Sequence, residues 1–156
     1  LAGYDWMEAD KFRKAMGNHI YGCDDCQIVC PWNSFAVKTD EESFGARDGS
    51  FQLIELMCLN DEAFRKRFKK SPVKRIKRRG LLRNVAVALG NSGNLSAVST
   101  LIDALSDHEP LIRAHVIWAL GELLGKKAMP ILNKILTNEE EDIVKNEITL
   151  VQRHYN

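Results

Sequence analysis

The sequence lacks most of the features that assign a chain to a common functional class. No apolar run approaches the ~20 residues that a helix needs to cross a bilayer. The first residues lack the basic-then-apolar pattern of a signal peptide. There is no Gly-x-Gly-x-x-Gly fingerprint, P-loop or nucleophile elbow, and the four histidines form no His-x3-His pair. We therefore expect no membrane association and none of the chemistry that those motifs carry.

Cysteine is scarce and unevenly placed. Three of the four cysteines, Cys23, Cys26 and Cys30, lie within eight residues in the spacing Cys-x2-Cys-x3-Cys-Pro. Clustered cysteines with one left over favour metal binding in a reducing compartment over a disulfide framework, so we expect a cytoplasmic protein. The fourth, Cys58, falls in the apolar run 51–59, which predicts an inert buried thiol.

The cysteine spacing matches the end of the bacterial ferredoxin run Cys-x2-Cys-x2-Cys-x3-Cys-Pro. On that template the three cysteines fill the last three places, and Ile20, which cannot ligate, fills the first. Pro31 prevents the loop from continuing as a helix. The pattern therefore predicts half of a two-cluster iron–sulfur site, with Cys23, Cys26 and Cys30 as metal ligands.

Two other kinds of cysteine site compete with this interpretation. A structural zinc site usually takes four ligands as two separated pairs, and the chain has no second Cys-x2-Cys. A thioredoxin-type redox pair would open a helix after a strand, without a third cysteine and a proline behind it. Zinc stays open as the alternative metal.

Acidic residues are absent between residues 65 and 83, although the net charge of the whole chain is only +1. This stretch, here called the basic band, holds 11 of the 22 lysines and arginines. Ordinary surfaces mix both signs of charge, so the basic band predicts binding to nucleic acid through phosphate contacts. The alternative is a surface that only aids solubility. The candidate contacts are Lys74, Arg75, Lys77, Arg78 and Arg79, extended by Arg83 and Arg113 at the starts of repeat helices.

A repeat begins near Gly80. Residues 96–105 align with residues 127–136 at an offset of 31, and the Ala-Leu-Gly that ends at Gly90 aligns with a second copy at the same offset. A third copy, residues 142–154, has helical apolar spacing without Ala-Leu-Gly. Alternating helices with a period of about thirty residues predict an all-α fold, a short HEAT-like α-solenoid. The small residues let its helices approach closely, and Trp118 is expected in its core.

These patterns predict three units along the chain. Residues 1–48 are a remnant of a ferredoxin-like iron–sulfur domain, residues 49–79 a helical connector with the basic band, and residues 80–156 the HEAT-like repeat domain. Within the connector, Phe64 and Phe68 share a helix face and are expected in the core. The chain opens without an initiator methionine, so we expect a piece of a longer protein.

The cysteine segment also resembles a known family. Residues 17–33, with the words Gly-Cys-Asp-Asp-Cys-Gln and Cys-Pro-Trp-Asn, look like the second ferredoxin motif of the epoxyqueuosine reductases. The similarity resumes at residues 64–68 and 71–75 and continues through residues 81–93 into the repeats. It covers most of the chain from about residue 17 onward, and only the carboxy-terminal portion of such an enzyme.

The resemblance implies an oxidoreductase that reduces epoxyqueuosine to queuosine in tRNA, with two [4Fe-4S] clusters passing electrons to a cobalamin. Cys23 and Cys26 would ligate one cluster and Cys30 the other. Most cobalamin contacts and the catalytic acid would lie in the absent amino-terminal part, so no catalytic residue is assigned and this chain alone is expected to be inactive.

The implied partners are tRNA and an unidentified electron donor, and we expect a monomer. The competing hypothesis is a non-catalytic HEAT-repeat binding module with a structural zinc or vestigial cysteine site.

Overall fold

The computed structural model describes residues 12–37, 40–41 and 52–155, and all regular structure within those ranges is helical, as the sequence predicts. The cysteine segment holds the short helix α1 (Asp25–Ile28) and a 3-10 turn (Pro31–Phe35). The remaining α-helices are α2 (Leu53–Met57), α3 (Asp61–Arg67), α4 (Lys77–Asn91), α5 (Val98–Ala104), α6 (Pro110–Leu124), α7 (Met129–Asn138) and α8 (Asp142–Tyr155). Further 3-10 turns span Pro72–Ile76, Leu95–Ala97 and Gly125–Ala128.

The helix boundaries follow from local capping chemistry. The side chain of Asn60 accepts a hydrogen bond from the Ala63 amide at 2.8 Å and starts α3. The hydroxyl of Ser71 accepts from the Val73 amide at 3.3 Å, and Pro72 opens the 3-10 turn that follows. The helical connector is therefore interrupted at residues 71–72, because a residue before proline is driven out of helical geometry.

The repeats comprise helices α4 to α8, and α6 contacts α4, α5 and α8. Helix α6 packs between α4 and α8, so its side chains are buried almost continuously from Ala114 to Gly121. The core includes the fully buried side chains of Leu81, Leu82, Leu89, Leu101, Ile112, Ile117, Leu120, Leu132 and Ile148. The predicted α-solenoid is confirmed, and α6 forms its centre.

The repeated Ala-Leu-Gly has a packing reason. A Cβ added at Gly90 would lie 2.7 Å from the Trp118 ring and 3.0 Å from the Ala119 Cα. A Cβ at Gly121 would lie 2.6 Å from a methyl of Val151. The missing side chain at Gly90 lets α4 approach α6, and the one at Gly121 lets α6 approach α8. Trp118 is 6% exposed and lies in the contact between α4 and α6, so it belongs to the core as the sequence predicts.

The aromatic pair of α3 also lies where the sequence predicts it. Phe64 and Phe68 are both buried, and their ring centroids are 5.2 Å apart. Burying each ring contributes about 1.5–3 kcal/mol of stabilisation. These rings hold α3 on the core while its basic residues face solvent.

Cys58 departs from the prediction of a buried thiol. Helix α2 ends at Met57, and Leu56 and Met57 take the buried positions, so Cys58 lies beyond them at the C-cap and is exposed. A short apolar run can place some of its residues toward the core and others toward solvent. The run alone did not show which of these positions Cys58 occupies.

The division of the chain into three units stays a prediction. Helix α4 begins at Lys77, three residues before the predicted start of the repeat domain at residue 80. The boundary between residues 48 and 49 lies outside the described residues. No helix among those described has the length and apolar character needed to cross a membrane.

The close approach at Gly90 predicts a position-specific cost. Replacing Gly90 with Ala should destabilise the fold by about 1–3 kcal/mol, because the added methyl overlaps the Ala119 backbone and Trp118. The matched control is Gly80→Ala in the same helix, where the nearest atom is the Ile76 Cβ at 3.3 Å. There the gain in helix propensity of about 0.5–1 kcal/mol should offset most of the crowding. Chemical denaturation of both variants checks this, and equal losses would contradict it.

Candidate iron–sulfur and nucleic-acid sites

The three clustered cysteines lie on a tightly wound, exposed loop. Gly22 and Asp24 have φ angles of 66° and 53°, and these left-handed residues turn the chain before α1. Cys26 lies within α1, and Cys30 directly precedes the Pro31 turn. Cys23 and Cys26 are exposed, Cys30 is half-buried, and all three are free thiols.

Hydrogen bonds close the second half of this loop. The side chain of Asn33 donates to the carbonyl of Gln27 at 2.6 Å, and the amide of Cys30 donates to the same carbonyl at 3.2 Å. The backbone amide of Asn33 donates in turn to the carbonyl of Cys30 at 3.0 Å. The Cys-Pro-Trp-Asn word therefore folds back on α1 and keeps Cys26 and Cys30 on one compact loop.

The donor set fits a thiolate-bound metal in kind but is incomplete in number. A [4Fe-4S] cluster takes four cysteines, and three thiolates are soft donors suited to iron or zinc. Among the described residues, no three Cys, His, Asp or Glu side chains converge into a metal-sized group. An open cleft of about 360 Å³ lies beside Cys23, with Met16, Ile20, Tyr21 and Asn84 among its walls. The loop has suitable ligands and adjacent space, and a complete cluster needs further sulfur.

The basic band divides into exposed and buried cations. Lys74, Arg75, Lys77 and Arg79 are exposed around the 3-10 turn and the start of α4. Lys77 has a φ of 60°, so the chain changes direction sharply where the turn meets the helix. The four exposed cations lie at or just before the amino-terminal end of this 15-residue helix, which is its positive end. No acidic side chain in the first turn of α4 offsets their charge.

Arg78 occupies a different environment from its neighbours. Its Nε donates to the Leu59 carbonyl at 2.7 Å, and its two terminal nitrogens bind both carboxylate oxygens of Asp107. The two side chains are only 10% and 9% exposed. Burial alone would raise the pKa of Asp107, but hydrogen bonds from Arg78 and the Glu109 amide hold that pKa below its usual value.

Arg113 forms the corresponding pair one repeat later. Its Nε and one terminal nitrogen bind the carboxylate of Glu139 at 3.0 and 2.7 Å, and the other nitrogen donates to the Asp107 carbonyl at 2.8 Å. The expectation that Arg78 and Arg113 contact tRNA is therefore revised, because both guanidinium groups already bind structural partners away from solvent. Arg83 is half-buried, and burial lowers its pKa.

A further buried ion pair was not predicted from the sequence. Arg13 and Glu147 form a two-point ion pair with distances of 2.6 and 3.0 Å, and the Arg13 guanidinium lies 5.5 Å from the Trp118 ring centroid. Nearby, His115 is buried and its Nδ1 lies 2.9 Å from the Leu111 carbonyl. Burial and the charge of Arg13 lower the pKa of His115 to about 3, so the imidazole is neutral at physiological pH.

Comparison with known proteins covers both halves of the chain. The HEAT repeats family matches residues 78–151. An epoxyqueuosine reductase from Yersinia pestis is 39% identical over 121 residues, which are 76% of this chain and 29% of that protein. A solved epoxyqueuosine reductase from Bacillus subtilis superposes with a TM-score of 0.82 at 27% identity, over 94% of this chain and 40% of the other.

Another solved epoxyqueuosine reductase was crystallised with a tRNA-Tyr epoxyqueuosine-modified stem loop. It matches with a TM-score of 0.80 and 28% identity, over 92% of this chain and 39% of that one.

The fold and the family match define an all-α chain in which HEAT repeats follow a cysteine-rich segment. More particularly, the chain is a homologue of the epoxyqueuosine reductases, as the cysteine motif predicts. It spans about a third of the length of the curated relatives, at 29% and 32% for those from Yersinia pestis and Escherichia coli.

The structural role of Arg78 predicts an unequal effect of two arginine substitutions within the basic band. Arg78→Gln should lower the free energy of unfolding by about 3–5 kcal/mol, because it leaves Asp107 buried without its cation. The exposed Arg75→Gln should change it by no more than about 0.5 kcal/mol. Urea denaturation measures the free energy of unfolding of both variants. Equal losses in Arg78→Gln and Arg75→Gln would contradict the structural role of Arg78.

Proposed function

We propose that this chain is the carboxy-terminal iron–sulfur and tRNA-binding portion of an epoxyqueuosine reductase, which reduces epoxyqueuosine to queuosine in tRNA. The observation that carries the proposal is the homology over 76% of the chain. The superposition of a solved relative over 94% of the chain supports it, because a match of that extent takes in both the cysteine loop and the repeats. Since the chain spans about a third of such enzymes, it is inactive alone, and the cobalamin and the catalytic acid belong to the remainder.

The proposed role of the cysteines is to hold iron for electron transfer. Cys23 and Cys26 ligate one [4Fe-4S] cluster and Cys30 a second, and cysteines elsewhere in the longer enzyme complete both sets. The free thiols and the adjoining cleft support this role. When bound, the clusters would supply electrons one at a time, and the three cysteines of this loop would hold them.

The surface beside the cysteines supports the interpretation as part of a larger enzyme. Ile28, Val29, Trp32, Phe35 and Val37 are each at least 77% exposed. An exposed apolar group of this kind usually marks a surface that another protein segment covers. A preceding domain of the complete reductase is the natural occupant.

The proposed tRNA surface consists of the exposed part of the basic band. Lys74, Arg75, Lys77 and Arg79 are free to approach phosphates, and Arg83 extends the surface at its edge. Arg78 and Arg113 support this surface from within. The neighbour solved with a tRNA stem loop is the reason to name tRNA rather than another polyanion. We further propose a cytoplasmic monomer that receives electrons from a donor of unidentified class.

Iron binding is tested by anaerobic reconstitution with iron, sulfide and an excess of a small thiol that can complete the coordination. The chain should acquire broad visible absorption and bound iron, and Cys26→Ala should lose most of both. Cys58→Ala is the matched control, because Cys58 is also exposed but lies outside the loop. Equal iron in both variants, or stoichiometric zinc in the purified protein, would favour the non-catalytic binding module instead.

tRNA binding is tested with matched pairs of lysines. Lys74→Glu with Lys77→Glu should weaken binding of a tRNA anticodon stem loop at least about tenfold and reduce the slope of log affinity against log salt by about 2. Lys126→Glu with Lys127→Glu reverses the same charge at an exposed turn of the repeats and should have a smaller effect. Fluorescence anisotropy across a salt series measures both, and indistinguishable slopes would refute the surface.

A further inference from the structure

The cysteine segment is fastened to the repeat domain through backbone carbonyls. The side-chain amide of Asn91 donates to the carbonyls of Arg13 and Gly17 at 2.7 and 2.8 Å. The side-chain amide of Asn84 donates to the carbonyl of Ile20 at 2.8 Å. Asn84 and Asn91 are seven residues apart on α4, which is two turns, so both amides lie on one face of that helix.

Ion pairs hold the start of the same segment. The buried pair between Arg13 and Glu147 joins it to α8, and Lys14 lies 3.1 Å from Glu122 of α6. A two-point guanidinium–carboxylate pair restricts both distance and orientation, so residues near Arg13 have one defined position on the repeats. The repeat helices thus hold the chain from Arg13 to Ile20.

Asn84 is the contact closest in sequence to the cysteines. Ile20 is three residues before Cys23, and the side chains that follow it, from Tyr21 to Val29, are all exposed. Asn84 and Cys23 also line the same cleft. Because the loop itself has few contacts with the core, its position depends on where the chain leaves Ile20.

The orientation of the Asn84 amide is also determined. Its oxygen accepts a hydrogen bond from the Arg83 Nε at 3.0 Å, which leaves the NH2 group to face the Ile20 carbonyl. A reversed amide would place its oxygen against that carbonyl and lose both hydrogen bonds. Arg83 therefore keeps Asn84 in the donating orientation.

We propose that Asn84 is a positioning residue that fixes the cysteine-bearing loop on the repeat domain by acting through Ile20. The consequence for iron rests on the proposed function, whereas the position of the loop does not. In the complete enzyme this contact would keep Cys23 and Cys26 at a constant place relative to the basic surface that begins beside Arg83.

The first test uses the metal-free chain. In Asn84→Ala, hydrogen exchange of the His19 amide, which donates to the Met16 carbonyl at 3.2 Å, should accelerate about fivefold, because losing the bond to Ile20 loosens the chain beside it. Exchange in α6 and the melting temperature should be unchanged. Asn84→Asp, which keeps the shape but replaces the NH2 donor with an acceptor, should behave likewise and covers the case in which the alanine variant folds poorly. The matched control is Asn146→Ala, an exposed asparagine of α8.

The second test uses the chain reconstituted with iron and sulfide. Visible absorption should decay about fivefold faster under a strong chelator in Asn84→Ala than in Asn146→Ala, with the same initial iron content. Unchanged exchange of the His19 amide would overturn the inference, whether or not iron binds. Faster exchange with unchanged chelator kinetics would overturn the effect on the cluster. Failure of the unaltered chain to take up iron would instead refute the proposed iron site, and the exchange data would still decide the role of Asn84.

Discussion

Buried arginine–carboxylate pairs join the parts of this chain that are distant in sequence. Arg78 with Asp107 links α4 to the turn that follows α5, and Arg113 with Glu139 repeats the link one helix pair later. A charge removed from water is tolerated only when a partner and further hydrogen bonds compensate it, so each pair strongly disfavours other registers of the helices. The apolar core supplies most of the driving force, and these pairs restrict which packing it adopts.

This constraint explains why the basic band contains both buried and exposed cations. Arg78 and Arg79 are adjacent, yet one guanidinium is buried against Asp107 and the other is exposed. The buried arginine helps to hold the start of α4 in place, and the exposed cations around it form a surface of one charge. The proposed surface for tRNA phosphates would need both, because cations on a poorly held segment would lose conformational entropy on binding.

The cysteine loop depends on the repeats in a related way. Its own side chains bury little surface, so the repeats hold it through the carbonyls of Arg13, Gly17 and Ile20. Because these bonds are made to backbone carbonyls, they do not depend on which side chains the loop carries. The residues between the cysteines are consequently available for the proposed metal site and the proposed neighbouring domain, while α4 and α8 hold the preceding residues in place.

Local patterns in the sequence were sufficient for the helical fold, the repeated helices and the homology to epoxyqueuosine reductases. Each depends on residues near one another, or on a fixed period, and so is visible without coordinates. The sequence did not reveal the exposure of Cys58 or the pairing of Arg78, because one end of a short helix and an acid 29 residues away determine them. The Arg13–Glu147 pair spans 134 residues and was equally hidden. Only the tertiary structure decides such contacts, since which charges become buried depends on how the helices stack.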